Sequence, residues 1–198
     1  MSQRSVFRSI VVSAVVLTVL GGSLPARAGA RTAERPPVVT VGDAGVPPEV
    51  LAAARDLAAR TRANAGPVRL TGGGARALDL PPINCLSQAQ FPHASTQGMP
   101  GSVDGKAVTS CSAPVNQLQA QASLYEFVSG YGFLFSGRGA LQYQMGSAGP
   151  VTSVAFAVCV GSPRYYVTTG YHFIVAPPYY SPPTVTVNTQ TPVVTVSC

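Results

Sequence analysis

Two spacings of apolar residues divide the chain. Between Pro47 and Asn64 they follow a helical period, with Val50, Leu51, Ala54, Leu57, Ala58 and Thr61 on one side and Arg55, Asp56, Arg60 and Arg62 on others. This predicts an amphipathic helix over about residues 48–64. Pro47-Pro48-Glu49 suits its first turn, where a missing N–H costs nothing and a carboxylate meets the positive end of the helix dipole. Asn64-Ala65-Gly66-Pro67 supplies the stop. The apolar stripe is mostly alanine, which buries little area, so the helix is expected to attach loosely.

From Ile83 onward the pattern changes to short β-prone segments punctuated by Gly, Pro and Ser. Expected strands run from Gln119 to Val128, Gly132 to Phe135, Ala140 to Met145, Thr152 to Val160, Tyr165 to Val175, Thr184 to Val187 and Val193 to Cys198. The first of these also fits a helix, because Leu118, Ala122, Tyr125 and Phe127 satisfy neither period cleanly. The turn signal Gly161-Ser162-Pro163-Arg164 predicts a hairpin over Thr152 to Val175. Apolar residues on both faces of Thr152 to Val160 place that strand centrally. In the next strand, Tyr165, Val167, Thr169, Tyr171, Phe173 and Val175 form the better core face, and Gly170 marks a bend or bulge. The expected fold is mainly β, an antiparallel β-sandwich or small barrel with two disulfides, preceded by one amphipathic helix. An immunoglobulin core is excluded by the absence of tryptophan.

Upstream of the helix, Arg4 and Arg8 precede an apolar run from Ile10 to Leu20, and Ala26-Arg27-Ala28 gives a small-x-small cleavage signature. The run falls short of the about 20 residues a spanning helix needs. Residues 1–30 therefore read as a cleaved signal peptide, with removal after Ala28 or Ala30. Residues 31–82 read as a flexible lead-in, the helix, and a Gly/Pro linker containing Thr71-Gly72-Gly73-Gly74 and Pro81-Pro82. Residues 83–198 form the disulfide-bonded β-domain. The protein is expected to be secreted, extracellular or associated with the cell wall, with no membrane span after the leader is removed.

Position changes the meaning of the formal charge of +6. Arg4, Arg8 and Arg27 leave with the leader, and Ile83 to the end carries Lys106, Arg138 and Arg164 against Asp104 and Glu126. No cluster of cations remains to release counterions from a nucleic acid, so that class of partner is not expected. Cys85, Cys111, Cys159 and Cys198 make an even count in an exported chain and read as two disulfides. Of three possible connectivities, Cys85 with Cys111 and Cys159 with Cys198 close the most local loops, each worth about 3 to 4 kcal/mol by chain entropy. No Cys-x-x-Cys pair or nearby histidine supports a metal site, and no cofactor motif is present.

The run Tyr165-Tyr166-Val167-Thr168-Thr169-Gly170-Tyr171-His172-Phe173, continuing through Pro177-Pro178-Tyr179-Tyr180-Ser181-Pro182-Pro183 to a terminal Cys198, resembles uncharacterised small secreted proteins of actinobacteria. The resemblance covers mainly Cys159 to Cys198. It implies an exported β-rich domain and carries no activity or site residue.

No nucleophile elbow, zinc-protease motif or phosphate loop occurs. Only Asp104 and Glu126 supply carboxylates to the β-domain, and Asp104-Gly105 reads as a turn, which argues against a two-carboxylate glycosidase. The expected function is a secreted non-enzymatic binding or interaction module meeting an extracellular protein or a cell-envelope component. Its binding residues are Tyr179 and Tyr180, held on a proline-stiffened loop, together with His172. The alternatives are a small secreted hydrolase with His172 as base, and a protease inhibitor presenting Ala94-Ser95-Thr96-Gln97-Gly98-Met99-Pro100 inside the Cys85 to Cys111 loop. His93, after Phe91-Pro92, reads as a surface residue in a loop.

Overall fold

The alternation Gln117-Leu118-Gln119-Ala120-Gln121-Ala122 sets one face of a strand toward a core and the other toward water. In the computed structural model, which describes residues 45–64, 66–73, 80–95, 101–159, 161 and 163–197, that strand is the centre of the molecule. The expected leader lies outside the described residues. Helix α1 (Pro48–Thr61) is followed by β1 (Val68–Gly72), β2 (Ile83–Ala94), β3 (Ser102–Cys111), β4 (Val115–Val128), β5 (Gly132–Arg138) and β6 (Gln142–Ser147). Then come β7 (Val151–Val158), β8 (Arg164–Val175), β9 (Tyr180–Ser181), β10 (Thr184–Gln190) and β11 (Val194–Val196).

The strands form two antiparallel sheets. The first has the order β7-β3-β2-β1-β9 and the second β10-β8-β4-β5. In the second sheet, β6 and β5 lie one after the other along one edge of β4, and β10 and β11 do the same along β8. The sheet is therefore four lanes wide. Leu118, Ala120, Ala122 and Leu124 of β4 and Tyr166 and Ile174 of β8 meet Leu70, Ile83, Val103, Ala107, Val151 and Ala155 of the first sheet in one core. Along one side β7 approaches β5 and β6, and the strands curl as a half-barrel. Ser153 of β7 bridges the approach: its hydroxyl accepts from the Ala122 amide at 3.1 Å and donates to the Ala140 carbonyl at 2.7 Å.

Helix α1 lies on the outer face of the second sheet, away from this core. Val50 and Leu57, only 1% and 2% exposed, meet Phe133, Val167 and Val193 in a separate apolar cluster. The helix is thus more firmly docked than its alanine stripe predicts. It ends when Arg62 turns left-handed at φ 53°, ahead of the expected stop. Asn64 then clips the chain to β10: its amide donates to the Asn188 carbonyl and its side-chain oxygen accepts from the Asn188 amide, both at 2.8 Å. Val50→Ala removes two buried methyl groups at about 0.8 kcal/mol each, so α1 docking should weaken by about 1.5 kcal/mol. Hydrogen exchange would show faster exchange in α1 and unchanged protection in β4.

Several expectations are corrected. Thr152 to Val175 is no hairpin: β7 pairs with β3 and β8 with β4, so the turn carries the chain from one sheet to the other. Nor is β7 central. It is an edge strand, and its doubly apolar pattern leaves Phe156 36% and Val158 71% exposed. The core face of β8 is the opposite one, Tyr166, Thr168, Gly170, His172 and Ile174, because α1 covers Val167 on the outer face and so hides the polarity contrast between faces. Gly170 sits in regular register opposite Ala122 and Thr189 with no bulge; a Cβ there would lie 2.5 Å from His172 Nε2 and 2.7 Å from Thr189 Oγ1. Asp104-Gly105 lies inside β3 rather than in a turn, and His93 lies in β2. Val68–Gly72, expected as part of a linker, is the strand β1. Among the two expected bridges the structure places one, Cys85–Cys111, whose residues are direct partners across β2 and β3. The second falls on Cys198, outside the described residues.

Candidate functional site

His172 faces the space between the sheets, where Gly170 leaves room for its ring. It is wholly buried. Thr109 Oγ1 donates to the Gln119 carbonyl at 3.1 Å, so its 2.7 Å contact with His172 Nδ1 is one it accepts. Nδ1 therefore carries the ring proton, and Nε2 accepts from the Thr189 hydroxyl at 2.9 Å. Both ring nitrogens are satisfied with the ring neutral. Burial lowers its pKa from 6.5 to about 4. Neither carboxylate of the β-domain is among its partners. Asp104 occupies the outer face of β3, beside His93 Nε2 at 3.1 Å and Lys106 Nζ at 4.0 Å. Glu126 is held by Arg164 and by the Tyr166 hydroxyl, which donates to it at 3.4 Å. The arrangement around His172 holds two strands of one sheet to a strand of the other. It does not present a base to a substrate.

Tyr179 and Tyr180 occupy a different place, on the crossover beside β1. Tyr179 is 61% exposed with φ 71°, and its carbonyl accepts from the Gly73 amide at 2.7 Å. The Tyr180 hydroxyl donates to the Pro81 carbonyl at 2.9 Å, which spends that ring on holding the loop to the sheet edge. His172 and this pair form no common surface. Of the tethered segment from Ala94 to Pro100, residues 96–100 lie outside the described residues.

A further array of aromatic and neutral polar side chains lies on the half of the second sheet's outer face that α1 leaves bare. Cross-strand register fixes its rows. Tyr143 of β6, Gln119 of β4, Phe173 of β8 and Thr186 of β10 form one row. Met145, Gln117, Val175 and Thr184 form the row on one side of it, and Gln121, Tyr171 and Asn188 the row on the other. Tyr143 is 64%, Met145 65% and Tyr171 39% exposed. These three rows contain no charged residue. Arg138, opposite Ser123, marks the border, its guanidinium 5.3 Å from the centre of the Phe135 ring. Gln121 is anchored by donating to the Gly139 carbonyl at 3.2 Å. The face therefore offers rings and neutral amide and hydroxyl groups on a rigid backbone.

The sequence held one signal for this face that the strand expectations did not use: glutamine at every second position from Gln117 to Gln121, opposite a strictly apolar inner face. Tyr179 and Tyr180 stand out in the sequence by their flanking prolines, and although β8 and β10 precede and follow them, their loop pairs with β1 at the edge of the other sheet. A groove of about 430 Å³ between α1 and the β4–β5 turn, lined by Asp56, Arg60, Tyr131 and Phe133 among others, is open and of mixed charge. Among the described residues no three His, Cys, Asp or Glu side chains gather as a metal site would require, and no helix is long and apolar enough to cross a membrane. No protein-family model, curated protein or solved structure matches this chain.

Proposed function

We propose that the protein is a non-enzymatic binding module acting outside the cell or at the cell envelope, and that its contact surface is the bare outer face of the second sheet. The observation that carries the reading is the row of Tyr143, Gln119, Phe173 and Thr186, with Tyr143 and Thr186 exposed and Gln119 and Phe173 half-buried between them, aromatic and neutral polar groups on a scaffold that needs none of them for its core. Exposed rings on a rigid strand bind at low entropic cost. We read the two sheets as a sandwich closed on one side by β7, which keeps this face fixed. Placement outside the cell is supported by the leader pattern, by the Cys85–Cys111 bridge and by the resemblance to small secreted proteins. The hydrolytic alternative rests on His172, and the burial of that ring weighs against it.

The test compares wild type with Tyr143→Ala/Tyr171→Ala, secreted from the native host and divided between culture supernatant and washed envelope. Both substitutions are at exposed positions, so the melting temperature should be unchanged. Envelope retention, or capture of whatever the supernatant protein binds, should fall about tenfold. Retention and capture equal to wild type would overturn the reading. Tyr179→Ala serves as the comparison, since that ring lies off the face.

A further inference from the structure

Resting on that reading, we propose that the bare face binds an extended, neutral glycan chain laid across the strands. A pyranose ring presents two surfaces, an apolar face of C–H groups and a rim of hydroxyls. Aromatic rings suit the first, and amides and hydroxyls, each able to donate and accept, suit the second. The central row alternates these chemistries lane by lane: ring at Tyr143, amide at Gln119, ring at Phe173, hydroxyl at Thr186.

Spacing carries the argument further. Neighbouring lanes lie about 4.8 Å apart, so Tyr143 and Phe173 are separated by about 9.6 Å. In an extended chain whose successive units are flipped by about half a turn, the same ring face returns at every second unit. One sugar unit then falls on each lane, roughly four in all, with stacking at alternate units and amide contacts between them. Met145 and Tyr171 flank the central row on either side and widen the apolar footing.

The chemistry also selects against other occupants. An acidic polysaccharide would find no cation within the three rows, Arg138 standing at their border. A membrane surface calls for clustered cations and a continuous apolar patch, and here glutamines interrupt the apolar groups. A protein interface also uses Tyr, Phe and Met, but around a contiguous apolar centre, whereas here Gln117, Gln119 and Gln121 run between the ring of β6 and those of β8.

The mature, oxidised protein would be titrated calorimetrically with β-1,4-linked oligomers of glucose, N-acetylglucosamine, mannose and xylose, each from two to six units long. Polygalacturonate and vesicles of phosphatidylcholine with phosphatidylglycerol are the charged and lipid probes, and sedimentation follows self-association. The expected result is binding of at least one neutral series, with affinity rising up to about four units and then levelling. Tyr143→Ala should weaken it roughly tenfold and Tyr143→Phe little. The inference is overturned if no neutral series binds, if affinity does not grow with length, if Tyr143→Ala binds as wild type, or if polygalacturonate, vesicles or a second copy of the chain is the preferred occupant. Loss of envelope retention in Tyr143→Ala/Tyr171→Ala without any glycan binding would sink the glycan inference alone. Normal retention would sink the binding reading beneath it.

Discussion

Gly137→Ala is expected to cost about 3 to 4 kcal/mol, enough to leave a domain of ordinary stability partly unfolded. A Cβ at this position would run into the Phe156 carbonyl oxygen and come within 2.9 Å of its carbon. Both belong to the backbone of β7, so no side-chain rotation relieves the overlap. Relief requires the β5 and β7 edges to separate. That movement strains what closes this side, the two hydrogen bonds of Ser153 Oγ. Gly139 is under the same constraint, 2.7 Å from the Val154 carbonyl carbon. Gly66→Ala, where nothing lies within 4 Å, should change stability by less than about 0.5 kcal/mol and serves as the control. Urea midpoints decide the matter. A Gly137→Ala midpoint equal to that of the control would mean the sheets are not in contact there.

Acid should weaken the fold by about 3 kcal/mol through His172 alone. The neutral ring is the form the folded protein holds, with its pKa lowered from 6.5 to about 4 by burial. Above pH 6.5 neither folded nor unfolded chain protonates it, and its contribution is constant. Between pH 6.5 and 4 the unfolded chain takes a proton that the folded chain refuses, so stability falls as pH falls. Below about pH 4 both states are protonated and this group adds no further loss. The side chains that face the ring, Thr109, Thr189, Ala120 and Val187, do not titrate in this range. Unfolding free energies of wild type and His172→Gln at pH 7.5, 5.5 and 4 test this. The variant should show a shallower decline, whatever its stability at neutral pH. Parallel curves would remove His172 as the cause.

How much was legible in the sequence depended on whether the deciding contact was local. The helix was, because its period and its proline start are local; so were the strands after Gln119, where valine, tyrosine and threonine concentrate. Cys85 with Cys111 followed from loop closure. The strands β2 and β3 escaped because Ser, Gln, Ala, Gly and Asp interrupt their apolar residues, and β1 because it is five residues long and runs into a glycine stretch; their extended form comes from pairing rather than propensity. The inner face of β8 was misread for a related reason. Its outer face is half covered by a helix more than a hundred residues earlier, which no strand-level pattern records. The bare face was invisible as a unit because Tyr143 and Phe173 come together only through the register of β4 with both neighbours. His172 looked like chemistry because a lone histidine among tyrosines gives no sign of the two threonines that enclose it.

The bridge between Cys85 and Cys111 joins residues that already face each other across β2 and β3, and the whole connection between those strands hangs beyond it. A protease cutting in that connection would therefore release nothing. The two fragments would remain one molecule, with the β2–β3 pairing still zipped and the bare face on the other sheet untouched, and the cut would show only after reduction. For the extracellular role proposed above, a cut between β2 and β3 would leave the proposed contact surface in place.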